Sequence, residues 1–213
     1  MPRGLLWGLA LLFGFLASGV QAQGVPPEVL SAAREGLQPF LGRISPETRE
    51  NYGFSKSDAL AQVSLGAPFN LQTITPEALL NYQAGSPVAA LLSKTNLWYF
   101  PVMLQNEVKA ILVVDRVDGK WQAVSLGYAN LAKALGTISQ RWPASQGFHP
   151  RLIAVFQANQ YLALVPEENP NALISIIPAG SGTPTAAGEL PLNDAASVLE
   201  RLKPMVRDNL KQR

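Results

Sequence analysis

The sequence contains no cysteine, one histidine (His149), and no Asn-x-Ser/Thr sequon. Without cysteine there is no thiolate nucleophile, no disulfide and no thiolate-held metal. A zinc or iron site would have to be built almost entirely from carboxylates, and the acids are scattered: Glu28, Glu35, Glu47, Glu50, Asp58 and Glu77 form no ligand spacing. Motifs are missing as well. There is no Gly-x-Ser-x-Gly elbow and no Ser-x-x-Lys, so neither common serine-nucleophile signature is present. The "AGSGTPTAAG" stretch has Gly180 and Gly182, but Thr185 stands where a dinucleotide fingerprint needs its third glycine. "DRVDGK" lacks the acid spacing of an EF-hand loop. The expectation is no catalytic residue, no metal and no cofactor.

Charge is also sparse, at 15% of residues. The formal net charge of +2 falls to +1 once Arg3 is removed with a leader (2 − 1 = 1), and no cationic stripe interleaves with aromatics. This balance does not suit nucleic acid. The one locally basic stretch is "LERLKPMVRDNLKQR", with five cations against two acids. Cations are favoured near a helix C-terminus, and weak contact with an anionic surface is the second reading of this segment.

The one long apolar run lies at the start. Arg3 precedes Gly4–Val20, in which Ser18 is the only polar residue, and Val20-Gln21-Ala22 follows. This is the order of a secretory signal peptide, residues 1–22, with cleavage after Ala22. The run is close to the lower limit for spanning a bilayer, about 17 residues, so an uncleaved anchor is the alternative. No later stretch is long and apolar enough to span. The expectation is an exported protein, periplasmic or extracellular, consistent with a bacterial envelope. Its mature part, 23–213, reads as one domain, and at 47% apolar residues it can bury a core and is too apolar for disorder.

Hydrophobic periodicity sketches the elements. Val29, Ala32, Ala33, Leu37, Phe40 and Leu41 recur at helical spacing behind Pro26-Pro27. A polar link covers 45–58. "LAQVSLGAPFNLQTI" predicts two short strands around Gly66-Ala67-Pro68. Thr75 caps a helix over "TPEALLNY", and "SPVAALLSK" predicts a second helical fragment. The stretch from 97 to 127 predicts a three-stranded meander, with a turn at Gln105-Asn106-Glu107 and a type I′ turn at Asp118-Gly119. A two-residue loop there pairs Val117 with Lys120, Arg116 with Trp121, Asp115 with Gln122 and Val114 with Ala123. Ile111, Val113 and Val124 then share one face, and Ala110, Leu112, Val114 and Ala123 the other. Both faces are apolar, so the strand is expected to be covered on both sides. Pro101 is expected at an edge or a bulge.

Leu131, Leu135 and Ile138 line one face of a further helix. The runs flanking Ala158-Asn159-Gln160 predict a hairpin over about 151–166, and "ALISIIP" a further strand. A flexible Gly/Pro-rich connector over 178–191 leads to a C-terminal helix, 193–210, capped by Asn193. Its inward residues are Val198, Leu199, Leu202, Met205 and Val206, and Pro204 should kink or split it. The fold class is α+β: an antiparallel sheet with helices packed on it. The strand-strand-helix-helix-strand-strand-strand order from about 59 to 127 resembles PAS or Cache-like sensor domains. The resemblance lies in element order alone.

Candidate contact residues follow from aromatics and fixed charge in the meander. They are Trp98, Tyr99, Arg116 and Trp121, with Arg116 over Trp121 as an expected cation–π pair. The aromatic edge Trp98–Phe100 and the connector are the expected binding elements. His149, in a loop, and the adjacent Glu167-Glu168 read as solvated groups. Asp115 and Asp118 point to different faces and make no cooperating acid pair. The leading expectation is an exported, non-catalytic binding or protein-interaction domain. A small-ligand sensor or carrier is the alternative, favoured by a pocket beside the meander walled by Trp98 or Trp121. A carboxylate-dependent hydrolase is the third class, and it would need two acids converging in a cleft.

Overall fold

A computed structural model describes residues 24–176 and 190–212. The expected signal peptide 1–22 with its Ala22 cleavage site, and the connector 178–191 except Leu190 and Pro191, lie outside the described residues. Among the described residues the chain forms four α-helices and a nine-stranded, mostly antiparallel sheet, an α+β architecture. No helix of the described residues is long and apolar enough to cross a membrane.

The meander is built as its residues dictate. β3 (Leu92–Leu104), β4 (Glu107–Val117) and β5 (Lys120–Gly127) pair antiparallel. Asp118 and Gly119 both take positive φ, 49° and 80°, as a type I′ turn requires, and all four expected pairings at that hairpin form. Further along, a bulge between Val113 and Val114 displaces Val124. It is 40% exposed instead of sharing a buried face with Ile111 and Val113. β4 is buried from Ala110 to Val114. Ile111 and Val113 pack into one core, and Ala110, Leu112 and Val114 into another on the opposite face.

β3 begins five residues earlier than expected, because "SPVAALLSK" forms only a 3-10 turn over Val88–Leu91 before extending. The PAS-like element order therefore has one helix reduced to a single turn. The sheet also continues beyond it. β1 (Ser64–Leu65) and β2 (Phe69–Ile74) both pair with β3, not with each other. β2 then pairs parallel with β6 (Arg151–Val155), followed by β7 (Gln160–Leu164), β8 (Ala172–Ile176) and β9 (Asn193–Asp194). Pro101 is thus not on an edge strand. It lies between the stretches of β3 paired to β2 and to β1, beside a bulge at Val102/Met103, where its missing N–H breaks no ladder bond.

Helices cover both faces. α3 (Ala129–Arg141) lies over one face, burying Leu131, Leu135 and Ile138. On the opposite face α1 (Pro27–Leu41) covers the meander. The half formed by β2 and β6–β8 is covered by α2 (Pro76–Leu80) and α4 (Ala195–Lys211). Phe40 is only half-buried, with the Arg43 guanidinium 5.5 Å from its ring centre. The link over 45–58 is not wholly polar, since Phe54 is 1% exposed and anchors it to the core. The cap of α4 is Asp194, not Asn193, because Asp194 carries the carboxylate that accepts from Ser197 N–H. Met205 faces outward, on the flank of the α4 stripe, and Pro204 sits within an unsplit helix.

Candidate functional site

A groove of about 920 Å³ lies beside the meander, at the end of the sheet where β2 and β6 begin. A local irregularity creates its wall. Asn70 of β2 pairs with Trp98 and Gln72 with Lys94, so three β3 residues (95–97) stand opposite the single residue Leu71. Side chains replace the missing ladder bonds. Asn70 Nδ2 donates to the carbonyls of Thr95 (3.1 Å) and Leu97 (3.3 Å), and Thr95 Oγ1 donates to the Leu71 carbonyl. Bulges of this kind re-aim side chains, often beside functional sites. Here the bulge leaves Trp98 and Lys94 both in the groove, on the same face as Asn70 and Gln72.

Strand periodicity sorts the lining into two parts. Asn70, Gln72, Lys94, Trp98 and Arg151 lie on the face covered by α1 and α4, near the junction between those two helices. Phe69, Val108, Trp142 and Phe148 belong to the α3 face and form an apolar wall. Among the described residues the lining includes two cations, Lys94 and Arg151, and no carboxylate. Neither cation is in an ion pair with a described residue. Gln72 Oε1 is shut away from water with no hydrogen-bond partner among the described residues.

The four contact residues expected from sequence do not converge. Trp98 reaches the groove. Tyr99 points to the opposite face of β3 and is buried in the α3 core. Its hydroxyl is 2.9 Å from that of Tyr161, and its ring is 6.2 Å from those of Tyr128 and Tyr161. Burial pushes both the Tyr99 and the Tyr161 hydroxyl above the ordinary phenol range. Arg116 and Trp121 lie at the hairpin tip, outside the groove. No cation–π contact joins them, because the Arg116 Nε donates to the Gly119 carbonyl at 3.1 Å, closing the turn, while Trp121 packs toward α1. The aromatic segment 98–100 is no edge, since Tyr99 and Phe100 are 3% and 1% exposed.

Residues not singled out from sequence contribute more. Lys94 stood at the end of an expected helix, Arg151 at the head of an expected strand, and Gln72 carried no local signal. Trp142 Nε1 donates to Glu168 Oε2 at 3.2 Å, which fixes the apolar wall. Glu167 accepts from the His149 N–H at 3.2 Å. Both acids stay exposed to solvent while accepting these two bonds. His149 lines the rim of the groove. On α4, Lys203 turns inward to the Tyr82 carbonyl (2.8 Å) and Glu200 (2.6 Å), and Lys211 lies 3.6 Å from Asp208, so part of the expected basic surface is engaged internally. Among the described residues no group of three potential metal ligands occurs.

Compared with known proteins, the chain matches no family model, and no curated protein or solved structure is significantly similar to it.

Proposed function

We propose that this chain is an exported, non-catalytic domain that binds a small ligand in the groove beside β2, β3 and β6. The observation that carries the reading is the groove itself. It is about 920 Å³, within the range of small-molecule sites, and combines an aromatic wall with a few placed polar groups. A hollow walled by Trp98 favours a ligand carrier or sensor over a protein-interaction module with a closed sheet. The carboxylate-hydrolase reading has no acid pair in this groove, because no described lining residue is a carboxylate. Export rests on the N-terminal pattern of residues 1–22.

Native mass spectrometry of the protein recovered from the envelope fraction of its own cells tests this reading. The expected result is extra mass of a few hundred daltons that disappears in Ser139→Trp. Ser139 is exposed on α3 at the groove, so the indole fills the hollow without entering the core. Extra mass of protein size would instead support the interaction reading. A bare chain, with no mass gained on incubation with an extract of small molecules, would count against both.

A further inference from the structure

Resting on the groove as the binding site, we infer that its ligand is an anionic small molecule with an apolar body. Lys94 and Arg151 hold the acid group, and the wall around Phe69, Trp142 and Phe148 covers the remainder. Three observations lead there. The first is charge: the described lining holds two cations and no carboxylate, and neither cation is in an ion pair with a described residue.

The second is placement. Lys94 on β3 and Ile153 on β6 are both register partners of Gln72, and Arg151 precedes Ile153 by two residues on the same face. The two cations therefore flank β2 from either side. With strands about 4.8 Å apart, their backbones are roughly 10 Å apart laterally, a span that two long side chains close around one anion. The third is the Gln72 amide between them. Its oxygen is shut in and unpaired while the residue itself is half-buried in the lining, and the NH₂ end of the same amide is a donor for an oxyanion. The aromatic wall lies on the α3 face, from Phe69 at the start of β2 to Phe148 just before β6, so head and body would lie on the two faces and meet round the end of these strands.

The test uses a matched pair of fluorescent probes, anilinonaphthalene sulfonate and its uncharged parent phenylnaphthylamine, on the full mature chain. Exposed charges contribute modestly, so each of Lys94→Gln and Arg151→Gln should weaken the sulfonate about threefold and the double variant about tenfold. The neutral probe should be unaffected. Both side chains are exposed, so these variants leave the core intact. Equal binding of both probes, unchanged in the double variant, overturns the anionic assignment while leaving the groove as a site. If Ser139→Trp blocks neither probe, the groove reading itself falls, and the anionic assignment with it.

Discussion

The hydroxyls of Tyr99 and Tyr161 meet at 2.9 Å although their strands, β3 and β7, are separated by β2 and β6. The contact bridges the parallel pairing of β2 with β6, the one such pairing among the described residues, and so ties the meander to the β6–β8 half. Removing one hydroxyl leaves the other without this partner. Tyr99→Phe and Tyr161→Phe should each lower unfolding stability by about 1 kcal/mol. The double variant should lose less than the sum, because no orphan remains. Urea titrations of the three variants give the coupling, and strict additivity would show that the hydroxyls do not interact.

The same pair sets a pH response. Burial raises both hydroxyls above the ordinary phenol value, so the folded state holds these protons more tightly than the unfolded state does. Their contribution is complete below the unfolded value of about 10 and is lost as pH rises from there through the folded values. Spectrophotometric titration should find Tyr99 and Tyr161 ionising only as the protein unfolds in alkali. Ionisation of both without unfolding would contradict the buried pair.

Local sequence specified the hairpins better than the site. Asp118-Gly119 and the alternation around it dictate the register from Val114 to Ala123, and the structure has that register. The Thr75 cap and the α3 stripe are equally local. The errors arise where tertiary partners decide. Lys94 is strand because β2 offers it a ladder, overriding the helical pattern of the residues before it. Met205 fits the helical period but falls at the edge of the stripe, beyond what the sheet can cover. The groove joins residues from 24 to 151, and the parallel β2–β6 pairing brings Lys94 and Arg151 to it. No short-range pattern encodes that crossover, so Trp98 could be named from sequence, but Lys94 and Arg151 could not.

α1 approaches β5 closely enough that a Cβ on Gly36 would overlap the Cβ of Ala123. Gly36→Ala gains helix propensity, roughly 1 kcal/mol, but overpacks this contact at a cost of about 1–3 kcal/mol. A net loss is expected. Ala123→Gly in the same chain removes the opposing methyl, so the double variant should melt closer to the unaltered protein than Gly36→Ala alone does. Thermal denaturation of the set decides. A Gly36→Ala variant that melts above the unaltered protein would mean that α1 moves away from the sheet freely.

Asp194 joins the last strand to the last helix, and its charge should be readable in acid. Its carboxylate accepts from the Ser197 N–H at 2.8 Å and from the Ser197 hydroxyl at 2.9 Å. Both bonds favour the ionised form and hold the carboxyl below its usual range. Because the folded value is depressed, the contribution is present above the unfolded value of about 3.9 and disappears as pH falls through the folded value. The capping residue also pairs with Ala172 of β8, and the next residue's N–H donates to the Asn171 carbonyl at 2.9 Å. Loosening the cap therefore loosens the seat of α4 on the sheet. Asp194→Ala should melt below the unaltered protein at neutral pH, with the gap closing on acidification. Asp194→Asn, which can still accept a hydrogen bond at the cap, should melt in between and vary less with pH. A gap that stays constant from neutral to acid pH would mean that this carboxylate does not carry the cap.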